Sequence, residues 1–326
     1  MATWVDRVNF RASLLVDQIV SAHRAADLFG TEIGDGMADL YRQRLSNLYL
    51  DEMPLAQMLD GSDLVLHAEG PEATGGMPSI HAVNWLISNA ERQIRALARA
   101  LFALDEASAS RIANGIDLRL SGFAPGSIYA GVRLEPMEGN LLEGSGESPI
   151  YQEVRAAIRA MPSIPTFVDD ESLNDAIFEA MPDPAKRDAG LSAALHLSPT
   201  GRIGIHTLEL SVPGGIPAKL SQRERVVLRD ALRHPKLSNR QDGSFVGEIR
   251  EIDLDKTRFH LRNIPGMGAI RCVLPTVTAD TAKRLLGTKV RVSGEYETDK
   301  QGMPRLMLVS SIEPMQNAVQ EILSYE

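Results

Sequence analysis

Between residues 243 and 314 apolar and polar positions alternate with a period of two, the side-chain period of a β-strand. Phe259 and Leu261 share one face of a strand, and Arg258, His260 and Arg262 share the other. Ile270, Cys272 and Leu274 fall in phase with Arg271 opposite, and Val290 and Val292 alternate with Lys289, Arg291, Ser293 and Glu295. Leu306, Leu308 and Ile312 form a last in-phase set, and TADTAKRLLG before Lys289 reads as a helix. GSFVGEIREID loses phase between Val246 and Ile249, and Gly247 at the break predicts a bulge that curls the strand. The order is strand, strand, strand, helix, strand, strand. It predicts a C-terminal five-stranded OB-like β-barrel, a fold that takes oligonucleotides, oligosaccharides or proteins.

Upstream, the pattern changes to the helical period. Leu15, Ile19, Ala22 and Ala26 predict a helix over 5–29, and a second follows over about 37–50. DLVLHAE (63–69) reads as a strand, and an apolar stripe from Val83 to Leu101 predicts a helix over about 80–104. Two strands follow, IDLRLSG and GSIYAGVRLEP, before the Gly-rich stretch 139–148. Residues 149–181 read as mostly helical, with Asp169 and Asp170 as caps of the second half. LSAALHLS and RIGIHTLELSV around Pro199-Thr200-Gly201 predict a hairpin. Ser221 with Glu224 predicts a capping box that opens a helix ending before Pro235. The fold class is therefore α+β and multidomain. A helical N-terminal region with an α+β domain spans 1–138, a second α+β domain spans 149–236, and the barrel with its tail spans 240–326.

Composition narrows the setting more than the chemistry. Of 326 residues, 44% are hydrophobic and 24% charged, as in an ordinary globular protein. No apolar run reaches membrane-spanning length, the N-terminus lacks an apolar signal core, and one cysteine excludes an internal disulfide, so a cytoplasmic protein is expected. The net charge of −9 opposes general phosphate-backbone binding, but residues 243–314 hold 11 Lys+Arg against 9 Asp+Glu. The barrel is thus the least acidic part. Its expected ligand face carries Arg258, His260, Arg262 and Arg271, with Lys300 in a neighbouring loop. Few aromatics accompany them to stack bases, so a protein partner or self-association is the first expectation and single-stranded nucleic acid the second.

A catalytic signature is missing. The chain has no GxSxG, HExxH, CxxC, phosphate-binding or EF-hand motif, and no two histidines stand at metal-ligand spacing with a nearby carboxylate or thiol. No metal or cofactor is expected. The leading expectation is a non-catalytic binding or adaptor protein; the competing one is a hydrolase with dispersed residues, for which Glu69, His67 and His206 are the first targets. The succession LVLHAEGP, long helix, GSIYAGVRL and a later GSFVGEIREID barrel resembles uncharacterised bacterial multidomain proteins with a small C-terminal barrel. That resemblance spans roughly residues 60–314 and implies the architecture alone.

Overall fold

The computed structural model describes residues 2–29, 32–74, 77–101, 106–124, 127–135, 148–253, 257–274 and 279–315. The chain forms two compact units, and neither is a continuous stretch. One comprises residues 1–88, 117–151 and 199–219; the other comprises 89–116, 152–198 and 220–326. This division differs from consecutive domains at 1–138, 149–236 and 240–326, because a strand from the middle of the chain returns to the first sheet.

The first unit opens with α1 (Trp4–Phe29) and α2 (Glu32–Asn47), then a π-helical turn (Leu48–Glu52) and α3 (Met53–Gly61). Asp60 of α3 accepts from the backbone amides of Trp4 and Val5 at 3.0 and 2.8 Å, satisfying free donors at the start of α1. Val8, Ala12, Leu48 and Ala56 form the core of this helical group. Strands β1 (Leu64–Glu69), β2 (Asp117–Ala124), β3 (Ile128–Glu135), β4 (Thr207–Ser211) and β5 (Ala218–Leu220) make a sheet in the order β2-β3-β1-β4-β5. Central β1 pairs antiparallel with β3 and β4. Leu64, Leu66 and Ala68 are fully buried on one face, which places Val65, His67 and Glu69 on the other. Gly131 of β3 explains the glycine of YAG: a Cβ there would lie 2.1 Å from the Ser121 hydroxyl and 2.2 Å from that of Ser62.

Helix α4 (Ile80–Leu101) supplies residues to both units, and α5 (Glu106–Gly115) follows it. The second unit continues with α6 (Pro149–Ala160), a 3-10 helix (Met161–Phe167), α7 (Ile177–Ala180), α8 (Pro184–Leu197) and α9 (Gln222–Arg233). Ser221 and Glu224 make the expected capping box of α9. Arg225 of α9 donates to the carbonyls of Leu195 and Ser198 at 2.7 and 3.0 Å, closing the C-terminal end of α8.

Strands β6 (Gln241–Asp253), β7 (Arg258–Arg262), β8 (Ile270–Val273), β9 (Lys289–Thr298) and β10 (Pro304–Pro314), with α10 (Ala279–Leu285) between β8 and β9, close into a barrel. Its circular order is β10-β8-β7-β6-β9; β8 and β10 are parallel, and β9 pairs antiparallel with both β6 and β10. Ile249, Phe259, Leu261, Ile270, Cys272, Val290 and Val292 fill it, as the alternation predicts.

Four expectations need correction. LSAALHLS belongs to α8, which buries residues all round, so an apolar run without a polar stripe reads equally well as a strand. Asp169 and Asp170 do not cap a helix: Asp170 pairs with Arg223 at 2.9 Å, and α7 is a single turn after an isolated Val168–Leu173 bridge. In β10 the inward residues are Met307 and Val309, while Leu306 packs outside with Leu237 and Val273. A register shift between Val309 and Ser311 returns Ile312 to the inside, so Leu306 and Ile312, in phase by their even spacing, face opposite sides. The irregularity of β6 lies between Ile249 and Ile252 rather than at Gly247. Gly247 instead permits close approach, since a Cβ would meet the Arg262 carbonyl oxygen at 2.5 Å. Residues 139–147 of the Gly-rich stretch lie outside the described residues.

Candidate functional site

Two polar clusters stand out, one in each unit. The first gathers the residues that the barrel pattern singles out. Arg258 on β7 donates through Nη1 to both carboxylate oxygens of Asp188 on α8, and through Nη2 to the Leu232 carbonyl of α9 at 2.6 Å. Arg271 on β8 donates to the same carboxylate at 2.8 Å. The Asp188 side chain is only 3% exposed, and its guanidinium partners are 15% and 21% exposed. Burial raises the Asp188 carboxyl pKa, but the charges of Arg258 and Arg271 outweigh it and hold the group down at about 2. One residue earlier, Arg187 donates to Glu297 of β9 at 2.6 Å, and Ser238 donates to the other oxygen of Glu297 at 2.7 Å. Adjacent opposite charges on α8 thus meet opposite charges on the barrel wall.

His260 sits directly across from Arg271 in the β7–β8 register. Burial first, and then the positive charges of Arg271 and Arg262, push its imidazole down to about 3, against the pull of Asp188. Arg262 is partly exposed and Lys300 is exposed in the turn after β9. The structure therefore brings Arg258, His260 and Arg271 together with Asp188, and leaves Lys300 at a separate turn. Beside this cluster lies a pocket of about 100 Å³ lined by Phe178, Leu191, Val227, Asp230, His234 and Leu306. His234 and Asp230 pair with each other at 3.1 Å. Cys272 is buried in the barrel core, and burial pushes its thiol pKa up, away from the reactive range.

The second cluster lies on the half-open face of the first sheet. Strand register builds it: His67 stands opposite Tyr129 of β3 on one side and Glu209 of β4 on the other, and Glu69 stands opposite Thr207. His67 Nδ1 lies 3.0 Å from Glu209 Oε2, and Nε2 lies 2.7 Å from the hydroxyl of Ser127, just before β3. A carboxylate only accepts, so Glu209 accepts from a proton on Nδ1, and in the neutral imidazole Nε2 is then bare and accepts from the Ser127 hydroxyl. The Tyr129 ring stacks on the imidazole at 3.8 Å between centroids and 6° between planes. Burial, and then the charges of Glu209 and Glu69, raise the Tyr129 pKa. Glu69 lies 3.8 Å from Nε2 and accepts from the Thr207 hydroxyl at 3.1 Å. The His67 side chain is 11% exposed, that of Glu209 32% and that of Glu69 45%. A serine hydroxyl, an imidazole and a carboxylate in a chain of two hydrogen bonds is an arrangement suited to nucleophilic acyl chemistry.

Sequence reading had selected His67 and Glu69 but not Ser127 or Glu209, which lie 60 and 142 residues from His67. Two polar residues inside LVLHAE, an otherwise apolar strand, were the signal available. His206 is exposed; its backbone amide donates to the Glu69 carbonyl at 2.8 Å and its side chain is not part of the chain of bonds. Among the described residues no group of three or more His, Cys, Asp or Glu side chains could hold a metal ion, and no helix is long and apolar enough to cross a membrane. The chain matches no protein-family model and no curated protein.

Proposed function

We propose that the protein is a hydrolase that works through an acyl-serine at Ser127. The observation that carries this reading is the pair of hydrogen bonds on His67, 2.7 Å to the Ser127 hydroxyl and 3.0 Å to Glu209. In the reaction, Ser127 Oγ attacks a carbonyl carbon while its proton passes to His67 Nε2. The bond to the leaving group then breaks, and His67 returns that proton to the departing alcohol or amine. Water repeats the sequence on the acyl-serine and releases the acid. Glu209 holds the ring and stabilises the imidazolium that forms. Hydrolysis of an activated ester by the full-length protein tests this. Turnover should be lost in both Ser127→Ala and His67→Ala; activity that survives both substitutions would leave the cluster as a polar ladder that merely satisfies its own hydrogen bonds.

A docking role for the barrel is the second reading, supported by its strand order. The closed five-stranded barrel, with a helix between the third and fourth strands and parallel third and fifth strands, supports reading it as OB-like. On this reading α8 and α9 already occupy the face that such barrels offer to ligands, so a protein or single-stranded nucleic acid would meet other parts of the barrel, such as the turn bearing Lys300. Fluorescence anisotropy with labelled oligonucleotides tests it. Binding in which Lys300→Ala lowers the salt slope by about 0.7 supports a phosphate contact there; the absence of binding at low salt removes the nucleic-acid form of the reading.

A further inference from the structure

Resting on the Ser127 reading, we infer that the site selects acyl substrates that carry a positive charge, and that Glu69 is the selecting residue. The relay needs only one carboxylate, and Glu209 fills that role through Nδ1. Glu69 is a second one, on the Nε2 side where Ser127 lies, at 3.8 Å from that nitrogen. It is the most exposed carboxylate of the cluster, at 45% against 32% for Glu209, and so has an open side to offer a ligand. Its bond to Thr207 fixes one oxygen, Oε2, while Oε1 is the atom nearest the imidazole.

The charges around the cluster agree. From β1 the site receives His67 and Glu69, from β4 Glu209, and from β3 the hydroxyl of Tyr129, whose pKa both carboxylates raise after burial does. Cations on the same sheet stand further out. Arg133 is four residues along β3 from Tyr129 and pairs with Glu135 at 3.2 Å, and Lys219 is on the edge strand β5, beyond β4. In the neighbouring loops Glu72 and Arg202 are both exposed and opposite in sign. Among the described residues the potential next to Ser127 is therefore set by Glu69 and Glu209, and of these two Glu69 lies on the nucleophile's side of the ring. A cationic leaving group or acyl chain placed there gains attraction that a neutral isostere lacks. Tyr129 adds an aromatic face to the same spot, although the imidazole already covers one side of it.

The test compares acetylthiocholine with its uncharged carbon isostere, neohexyl thioacetate, on the full-length protein. The wild type should favour the cation by about tenfold in kcat/KM at low salt, and less as salt rises. Glu69→Gln should bring the ratio close to one, Glu69→Asp should keep the preference, and Glu69→Lys should invert it. A ratio unchanged in Glu69→Gln would overturn the inference while leaving the serine reaction standing. An uncharged fluorophosphonate separates the two levels. If it fails to capture Ser127 in the wild type, the underlying reaction fails and this inference with it. If capture succeeds in the wild type but is lost in a Glu69→Gln protein that melts normally, Glu69 belongs to the relay and is not a selector.

Discussion

Asp188 is 3% exposed and meets two guanidinium groups; Glu209 is 32% exposed and meets one imidazole. Both clusters join residues far apart in sequence, yet they differ in how completely charge is answered. In the barrel unit the buried charges of Asp188 and Arg187 each meet opposite partners, and the two residues hold α8 against the strands. Buried ions demand that treatment, because removal from water costs several kcal/mol per ion and only close partners offset it. Such a knot specifies packing and has no group left over for chemistry. In the sheet unit two carboxylates face one imidazole, and Ser127 and Glu69 keep contact with solvent. That imbalance would be unfavourable in a sealed core, and at a half-open surface it leaves a proton acceptor and a nucleophile within reach of a ligand. The same residue types therefore serve cohesion in one place and, on our reading, reaction in the other.

The contrast can be broken in stages. The largest expected effect is on reactivity: Glu209→Gln keeps the shape but replaces an acceptor-only carboxylate by an uncharged amide that can also donate, so the imidazole tautomer is no longer fixed, and esterase turnover should fall by about 10³–10⁴-fold. The next concerns Asp188→Ala, which leaves two guanidinium groups without their carboxylate. It should cost about 3–5 kcal/mol in urea unfolding followed through the barrel. A sharper form replaces Asp188, Arg258 and Arg271 together by apolar residues of similar size, which should recover most of that loss. A third prediction concerns acid. Folding holds His260 neutral with a pKa of about 3 against 6.5, so its contribution is complete above about pH 6.5 and is lost as the pH falls towards 3. The slope should be about 1.4 kcal/mol per pH unit in that window, and His260→Gln should flatten it. Asp188, held at about 2 against 3.8, adds a further loss only below about pH 3.8. The smallest expected effect is Ser127→Ala on stability, about 1 kcal/mol or less in thermal melting, because one hydrogen bond at a partly exposed site is removed. A cost as large as that of Asp188→Ala would make the sheet cluster a second structural knot and erase the comparison.

The barrel was legible because its strands obey a period of two over nearly their whole length. The inward placement of Leu261, Cys272 and Val292 follows from that period alone. It failed at β10, where one shifted register reverses the faces, and a bulge in the middle of a strand has no residue signature as firm as a turn glycine. Helix α8 was missed because LSAALHL lacks a polar stripe, and its all-round burial depends on partners elsewhere in the chain. The outward position of Arg258 and Arg271 was also readable, but their attachment to Asp188 was not, since nothing in PAKRDAG indicates which strand it will meet. His67 and Glu69 could be noticed as polar residues in a buried strand. Ser127 and Glu209 became their neighbours only through the pairing of β1 with β3 and β4.

The central claim, that the sheet cluster is reactive where the barrel cluster is sealed, meets its most direct test in covalent capture by an uncharged fluorophosphonate. The adduct would be located by mass spectrometry of the intact and digested protein. The account predicts a single adduct on Ser127, absent in Ser127→Ala and His67→Ala. No adduct on the folded wild-type protein, or an adduct on another residue at the same rate in all three proteins, would contradict it.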